Sequence, residues 1–172
     1  NKRNATRVLA ILMALTLLFT VGCGGEKSFP DNLSCEDIVA AYQSAGEKPE
    51  YEKFYRKSEN NLDAFSMSLW ADGSFQECEE LELLEDYAIY LGAGANTYEV
   101  TVLRAKNEAD TEKLIDLIKR RKKTLENGDK GMYDQSFETK MANSVVKTDG
   151  KFVIFLITDD NDAALKAIEK LM

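Results

Sequence analysis

The sequence predicts an α+β domain: a four-stranded, largely antiparallel sheet from two ββα units, with helices packed on it, preceded by N-terminal helices. Three observations predict it. Apolar residues recur at every second position at Tyr87, Ile89 and Leu91, and again at Tyr98, Val100 and Val102, which is the period of a strand. Asp149-Gly150 separates a short strand over 144–148 from the wholly apolar run Phe152–Ile157, a hairpin signal ahead of a strand buried on both faces. Helical spacing then follows each hairpin, through Ala109, Leu114, Leu117, Ile118 and Leu125, and through Ala164, Leu165, Ile168 and Leu171.

Composition bounds the function. The 172 residues are 44% hydrophobic and 30% charged, a globular balance with enough chain for one ordinary core. Formal net charge is -8; without Lys2, Arg3 and Arg7 the 19 basic and 30 acidic residues of the remainder leave -11. So acidic a body has no general attraction to nucleic acid or anionic lipid. There is no histidine, which removes the commonest general base and the commonest neutral metal ligand. No catalytic residue, metal ligand or cofactor site is assigned.

The chain opens with a positive segment, Asn1 to Arg7, followed by an apolar run of 14 residues from Val8 to Val21. A helix needs about 20 residues to cross a bilayer, so residues 1–22 read as a signal peptide. Thr20-Val21-Gly22-Cys23 resembles a lipobox, in which the cysteine becomes lipid-modified and N-terminal; Thr20 departs from the Leu usual at its position. The expectation is an extracytoplasmic lipoprotein on the outer face of a bacterial cell membrane, anchored through Cys23. An ordinary cleaved signal or an uncleaved anchor also places the remainder outside the cytoplasm.

Residues 23–33 are then the lipidated Cys and a flexible tether, and 34–80 an N-terminal helical segment ahead of an α+β domain over 81–172. Ser34 is a helix N-cap with Glu36 and Asp37 in the first turn, and Ile38, Val39, Tyr42 and Ala45 form the apolar stripe up to Gly46. Residues 47–80 have no clear period; Leu62 to Trp70 reads as a helix burying Leu62, Phe65, Leu69 and Trp70, closed by Ala71-Asp72-Gly73-Ser74. Gly92 to Asn96 joins the first two strands and Asn107 caps the long helix, which Asn127-Gly128 stops. Residues 129–143 read as a broken helix around Met132, Tyr133, Phe137 and Met141. The two long amphipathic helices are expected on one sheet face, with the N-terminal helices on the other.

Glu85 to Tyr90 before its Gly/Ala/Asn turn, the cationic helix, and Ser144-Val145-Val146 through Gly150-Lys151-Phe152-Val153 to Asp159-Asp160 resemble a bacterial lipoprotein family built on domain of unknown function 4358. The resemblance spans about Glu80 to Leu171 and the leader. It implies surface attachment and fold. It carries no catalytic residue.

Five further features have competing readings. Cys35 and Cys78 either form a disulfide across 42 intervening residues or stay as thiols. Asp159-Asp160-Asn161-Asp162 suggests calcium, but Leu165 and Leu171 stand where an EF-hand needs Gly and Glu, so helix capping is expected. The acidic run of Glu77, Glu79, Glu80, Glu82, Glu85 and Asp86 suggests a divalent cation or a basic partner, but a solvated face is expected; Lys119-Arg120-Arg121-Lys122-Lys123 suggests phosphate-rich wall polymer or lipid headgroups, but the cationic end of a helix is expected. Gly92-Ala93-Gly94 joins strands, so it is a turn and not a phosphate cradle. The favoured function is a non-enzymatic binding or accessory domain that meets an envelope protein or polymer, and it predicts an exposed apolar patch. The alternative is a carboxylate-dependent envelope hydrolase, which predicts a cleft with two carboxyls roughly 5–10 Å apart.

Overall fold

Alternating apolar residues build a sheet of five strands, not four. A computed structural model describes residues 27–45, 48, 49, 52–93, 97–128 and 134–172. The strands are β1 (Glu52–Arg56), β2 (Leu84–Gly92), β3 (Glu99–Ala105), β4 (Val145–Asp149) and β5 (Phe152–Ile157). Their order is β1-β2-β3-β5-β4, and every neighbouring pair is antiparallel. The α+β class holds, and both expected hairpins form.

The added strand, β1, lies in the segment expected to be helical. Its sequence, Glu-Lys-Phe-Tyr-Arg, is short and charged, as edge strands are, because one side faces water. Tyr90 of β2 holds it from the sheet side: Phe54 meets the Tyr90 ring edge-on at 5.5 Å, and the Tyr90 hydroxyl donates to Glu52. Beyond the strand, the Asn61 side chain accepts from the Arg56 amide at 2.8 Å and donates to the Phe54 carbonyl at 3.0 Å. Asn60 makes the intervening turn with φ +48°.

Helices cover both faces, in groupings that differ from expectation. On one face lie α2 (Ala64–Asp72), α3 (Thr111–Glu126) and the short α4 (Phe137–Ala142), over Tyr87, Ile89, Leu103, Val153, Phe155 and Ile157. On the other lie α1 (Cys35–Ala45) and α5 (Asn161–Ile168), over Ala88, Tyr90, Val100, Val102, Phe152, Ile154 and Leu156. The two amphipathic helices α3 and α5 are therefore on opposite faces. All six β5 side chains are buried, as an interior strand between two cores requires.

Since β3 and β4 are each antiparallel to β5, they run parallel to one another. The passage through α3 and α4 is thus a crossover that leaves one strand position open, and β5 fills it. The tight connection into β5 uses Gly150 at φ +51°, where a side chain would be strained.

The helix ends follow the local sequence. Ser34 and Asp37 cap α1 reciprocally, with Asp37 N donating to Ser34 Oγ at 3.1 Å and Ser34 N to Asp37 Oδ2 at 3.1 Å. Asp63 accepts from Ser66 N at the start of α2, and Gly73, at φ +70°, closes it. Asn107 opens a turn of tighter helix over Glu108–Asp110, so α3 itself starts one turn later than the expected cap at Asn107 implied.

Residues 27–33 depart from a free tether. Phe29 is buried against Phe152, with ring centroids 5.3 Å apart. Its amide donates to Asp149 Oδ2 at 3.2 Å. Arg104 donates to the Asp31 carbonyl at 2.7 Å, and its guanidinium stacks over the Phe152 ring at 5.3 Å. Among the described residues no helix is long and apolar enough to cross a membrane.

Candidate functional site

Two surfaces stand out. The first is a polar cleft of about 470 Å³ beyond the C-terminal end of β5, lined by α4, Asn143, Val145 and residues 158–162. Its floor is Lys140. Phe137, Lys140 and Met141 share one face of α4, so the lysine is buried with the two apolar side chains. Its ammonium lies 3.1 Å from Asp159 and 3.7 Å from Asp134. Asp134 also accepts from Thr97 N at 2.9 Å and Ser136 N at 2.9 Å. Burial pushes the Asp134 carboxyl up, but the bonds from the Ser136 hydroxyl and the Thr97 and Ser136 amides outweigh it and bring it down to about 2. A carboxyl held anionic in this way is the opposite of a general acid.

Asn161 closes the other wall. Its Oδ1 accepts from Thr158 N at 3.0 Å and Thr158 Oγ1 at 2.8 Å, while Nδ2 donates to the Asn143 carbonyl at 2.6 Å. Asp160 accepts from Ala163 N at 2.9 Å, so this acid-rich stretch supplies a helix cap, as its spacing predicts. Among the described residues no group of three or more His, Cys, Asp or Glu is placed to hold a metal ion.

The second surface is apolar. Phe65 and Leu69, four residues apart on the outer side of α2, are 45% and 46% exposed, and Phe75 beyond the helix is 78% exposed. The Phe65 and Phe75 rings pack on each other with centroids 5.8 Å apart. Sequence reading assigned Phe65 and Leu69 to the core; the buried side of α2 is instead Met67, Ser68, Trp70 and Ala71.

The other sequence candidates are dispersed. Cys23 lies outside the described residues, as do Gly46, Met132, Tyr133 and the Gly94–Asn96 part of the first hairpin turn. Cys35 and Cys78 are free, buried thiols and not a disulfide: Cys35 lies in the α1 core and Cys78 in the α2 core, with the sheet between them. Burial pushes both thiols up, and nearby Asp86 and Glu80 add to the effect; Cys78 reaches about 11.

The acidic run divides: Glu77, Glu79 and Glu82 are exposed, as a solvated face is, and the other three have structural tasks. Asp86 accepts from Cys35 N at 2.7 Å at the start of α1, Glu80 pairs with Arg120, and Glu85 lies 3.3 Å from Arg104. The basic run divides in the same way. Arg120 reaches Asp72 at 3.0 Å, Lys119 pairs with Asp116, and Arg121 turns into the core.

There Arg121 meets Glu99, which alternates with Tyr98 and Val100 at the start of β3. The signal for it was weak, because a charged residue alternating with Tyr98 and Val100 looks solvent-facing unless its distant partner is known. Lys140 had a clearer signal: a lone cation within the apolar spacing of Phe137 and Met141.

Residues 80–158 match the family model described as Domain of unknown function (DUF4358), so the segment from β2 through β5 carries that domain. The matched segment includes α3 and α4 and leaves α1, β1, α2 and α5 outside. No curated protein and no solved structure matches the chain.

Proposed function

We propose that the chain is an extracytoplasmic bacterial lipoprotein, acylated on Cys23 after removal of residues 1–22, whose domain is a non-enzymatic binding or accessory module for an envelope protein. The observation that carries the binding role is the Phe65–Leu69–Phe75 patch. Exposed aromatic pairs cost solvation and are enriched at the centres of interfaces, where they fill partner pockets at small entropic cost. The anchoring role rests on the order of charge, apolar run and cysteine at positions 1–23. The body's net charge of -11 supplies no membrane attraction of its own, so attachment falls to the acyl chains, at about 0.8 kcal/mol per buried methylene.

The test is photo-crosslinking in intact cells with a reactive residue replacing Phe75, and a control replacing exposed Glu112 on α3. One abundant protein adduct at position 75, missing from position 112, is the expected result. Equal labelling from both positions, or no protein adduct together with turnover of an envelope polymer, overturns the binding role.

A further inference from the structure

The stretch expected to be a tether is bound to the domain, and this decides how the domain stands on a membrane. Phe29 is buried, its amide is held by Asp149, and Arg104 binds the carbonyls of Asp31 and Leu33 at 2.7 and 3.4 Å. A turn from Pro30 O to Leu33 N, at 3.0 Å, links these contacts to the Ser34 cap of α1. All of them lie at one end of the sheet, because Phe152 pairs with both Arg104 and Asp149 in the ladder.

Only six Cα steps separate Cys23 from Phe29. At full extension they span about 20 Å. We propose that residues 28–33 are a docked strap that holds the β4–β5 hairpin end of the sheet against the lipid surface and turns the polar cleft outward. The inference rests on the reading that Cys23 is acylated.

The cleft lies at the opposite end by register: Ile157 pairs with Glu99 and Leu156 with Val145, and the cleft follows directly after them. The length of β5 sets the two ends about 20 Å apart. Lys27, Lys147 and Lys151 stand beside the strap, together with Asp149, Glu108 and Glu169. With both signs present, that end has no strong pull on headgroups, so the short leash and the strap set the orientation.

The experiment uses full-length protein acylated in cells and reconstituted in phosphatidylethanolamine–phosphatidylglycerol vesicles carrying a headgroup acceptor dye. Donor dyes go on Lys151→Cys, at the strap end, or Asp162→Cys, at the cleft; Cys35 and Cys78 are buried. Transfer about twofold more efficient from 151 than from 162 is expected, given roughly 20 Å between the sheet ends. Ten Gly/Ser residues inserted after Gly25, which leave the packed domain untouched, should bring the two efficiencies together. Equal transfer in acylated protein without the insertion overturns the strap alone. An intact mass without acyl chains overturns the anchor reading and the strap with it.

Discussion

Arg121 donates two hydrogen bonds to a single buried oxygen of Glu99, from Nη2 at 2.7 Å and from Nε at 2.9 Å. The other carboxylate oxygen accepts from Trp70 Nε1 at 3.1 Å and Thr101 Oγ1 at 2.8 Å. Arg121 Nη1 donates in turn to the Trp70 carbonyl at 2.9 Å, with its guanidinium over the indole at 5.6 Å. One ion pair therefore ties α3, β3 and α2 together, with both carboxylate oxygens satisfied.

Breaking that pair strands a buried charge, which typically costs about 3–5 kcal/mol, whereas replacing both partners by apolar residues costs far less. Arg121→Met is expected to lower unfolding free energy by about that amount in urea titration. Arg121→Met with Glu99→Leu should recover much of the loss, short of what Trp70 and Thr101 lose as partners. A single substitution costing under about 1 kcal/mol would show that the helices do not depend on the pair.

The two thiols give a direct test of the fold. Native protein should resist alkylation at Cys35 and Cys78, since burial shields both and the Cys78 thiol, raised to about 11, is almost wholly protonated at neutral pH. In denaturant both should react, and equally with or without reductant. If reductant is needed before both react, a disulfide exists and the packing of Cys35 and Cys78 on opposite faces is wrong.

Asp134 predicts an acid-sensitive component of stability. Its folded carboxyl titrates near 2, below the ordinary value of 3.8, so the stabilisation is present above pH 4 and is lost as pH falls through about 2. Asp134→Asn should cost about 1–2 kcal/mol at pH 7, with the deficit narrowing steadily below pH 4. A deficit that stays constant down to pH 2 would assign the effect to packing rather than to charge. Urea melts at several pH values separate the two.

Two phenylalanines should behave in opposite ways. Phe29→Ala removes a ring packed on Phe152 and is expected to cost about 2–4 kcal/mol. Phe75→Ser removes a ring that is 78% exposed and should change stability by no more than about 0.5 kcal/mol. Thermal melts of both variants beside wild type check this, and a large loss from Phe75→Ser would place that ring in the core.

Strand pairs and caps were the most legible parts of the chain, because their causes are local. Asp149-Gly150 makes its hairpin, Ser34 and Asp160 cap their helices, and Phe152 to Ile157 is interior. β1 was not legible: Lys53 and Arg56 mask the alternation, and their placement over the Tyr55 and Phe54 rings appears only once the strand pairs with β2. The patch was misread for a related reason. Phe65 and Leu69 share one side of α2 with nothing in their own sequence to mark it as the outer side.

By itself the sequence determined class, charge, the absence of histidine chemistry, the two hairpins and the helix caps at Ser34 and Asp160. Each follows from residues within a few positions of one another, where propensity and hydrogen bonding act directly. Tertiary structure alone decided which helices cover which face of the sheet, and this single fact moved several residues. It put Glu99 and Arg121 in a core, set Cys35 and Cys78 apart, and sent α3 and α5 to opposite faces. The cysteine expected to carry the anchor lies outside the described residues, yet the first described residues after it in the chain are fixed by long-range contacts. Phe29 meets residues 120 or more positions away, at Asp149 and Phe152, and no local pattern records such a contact.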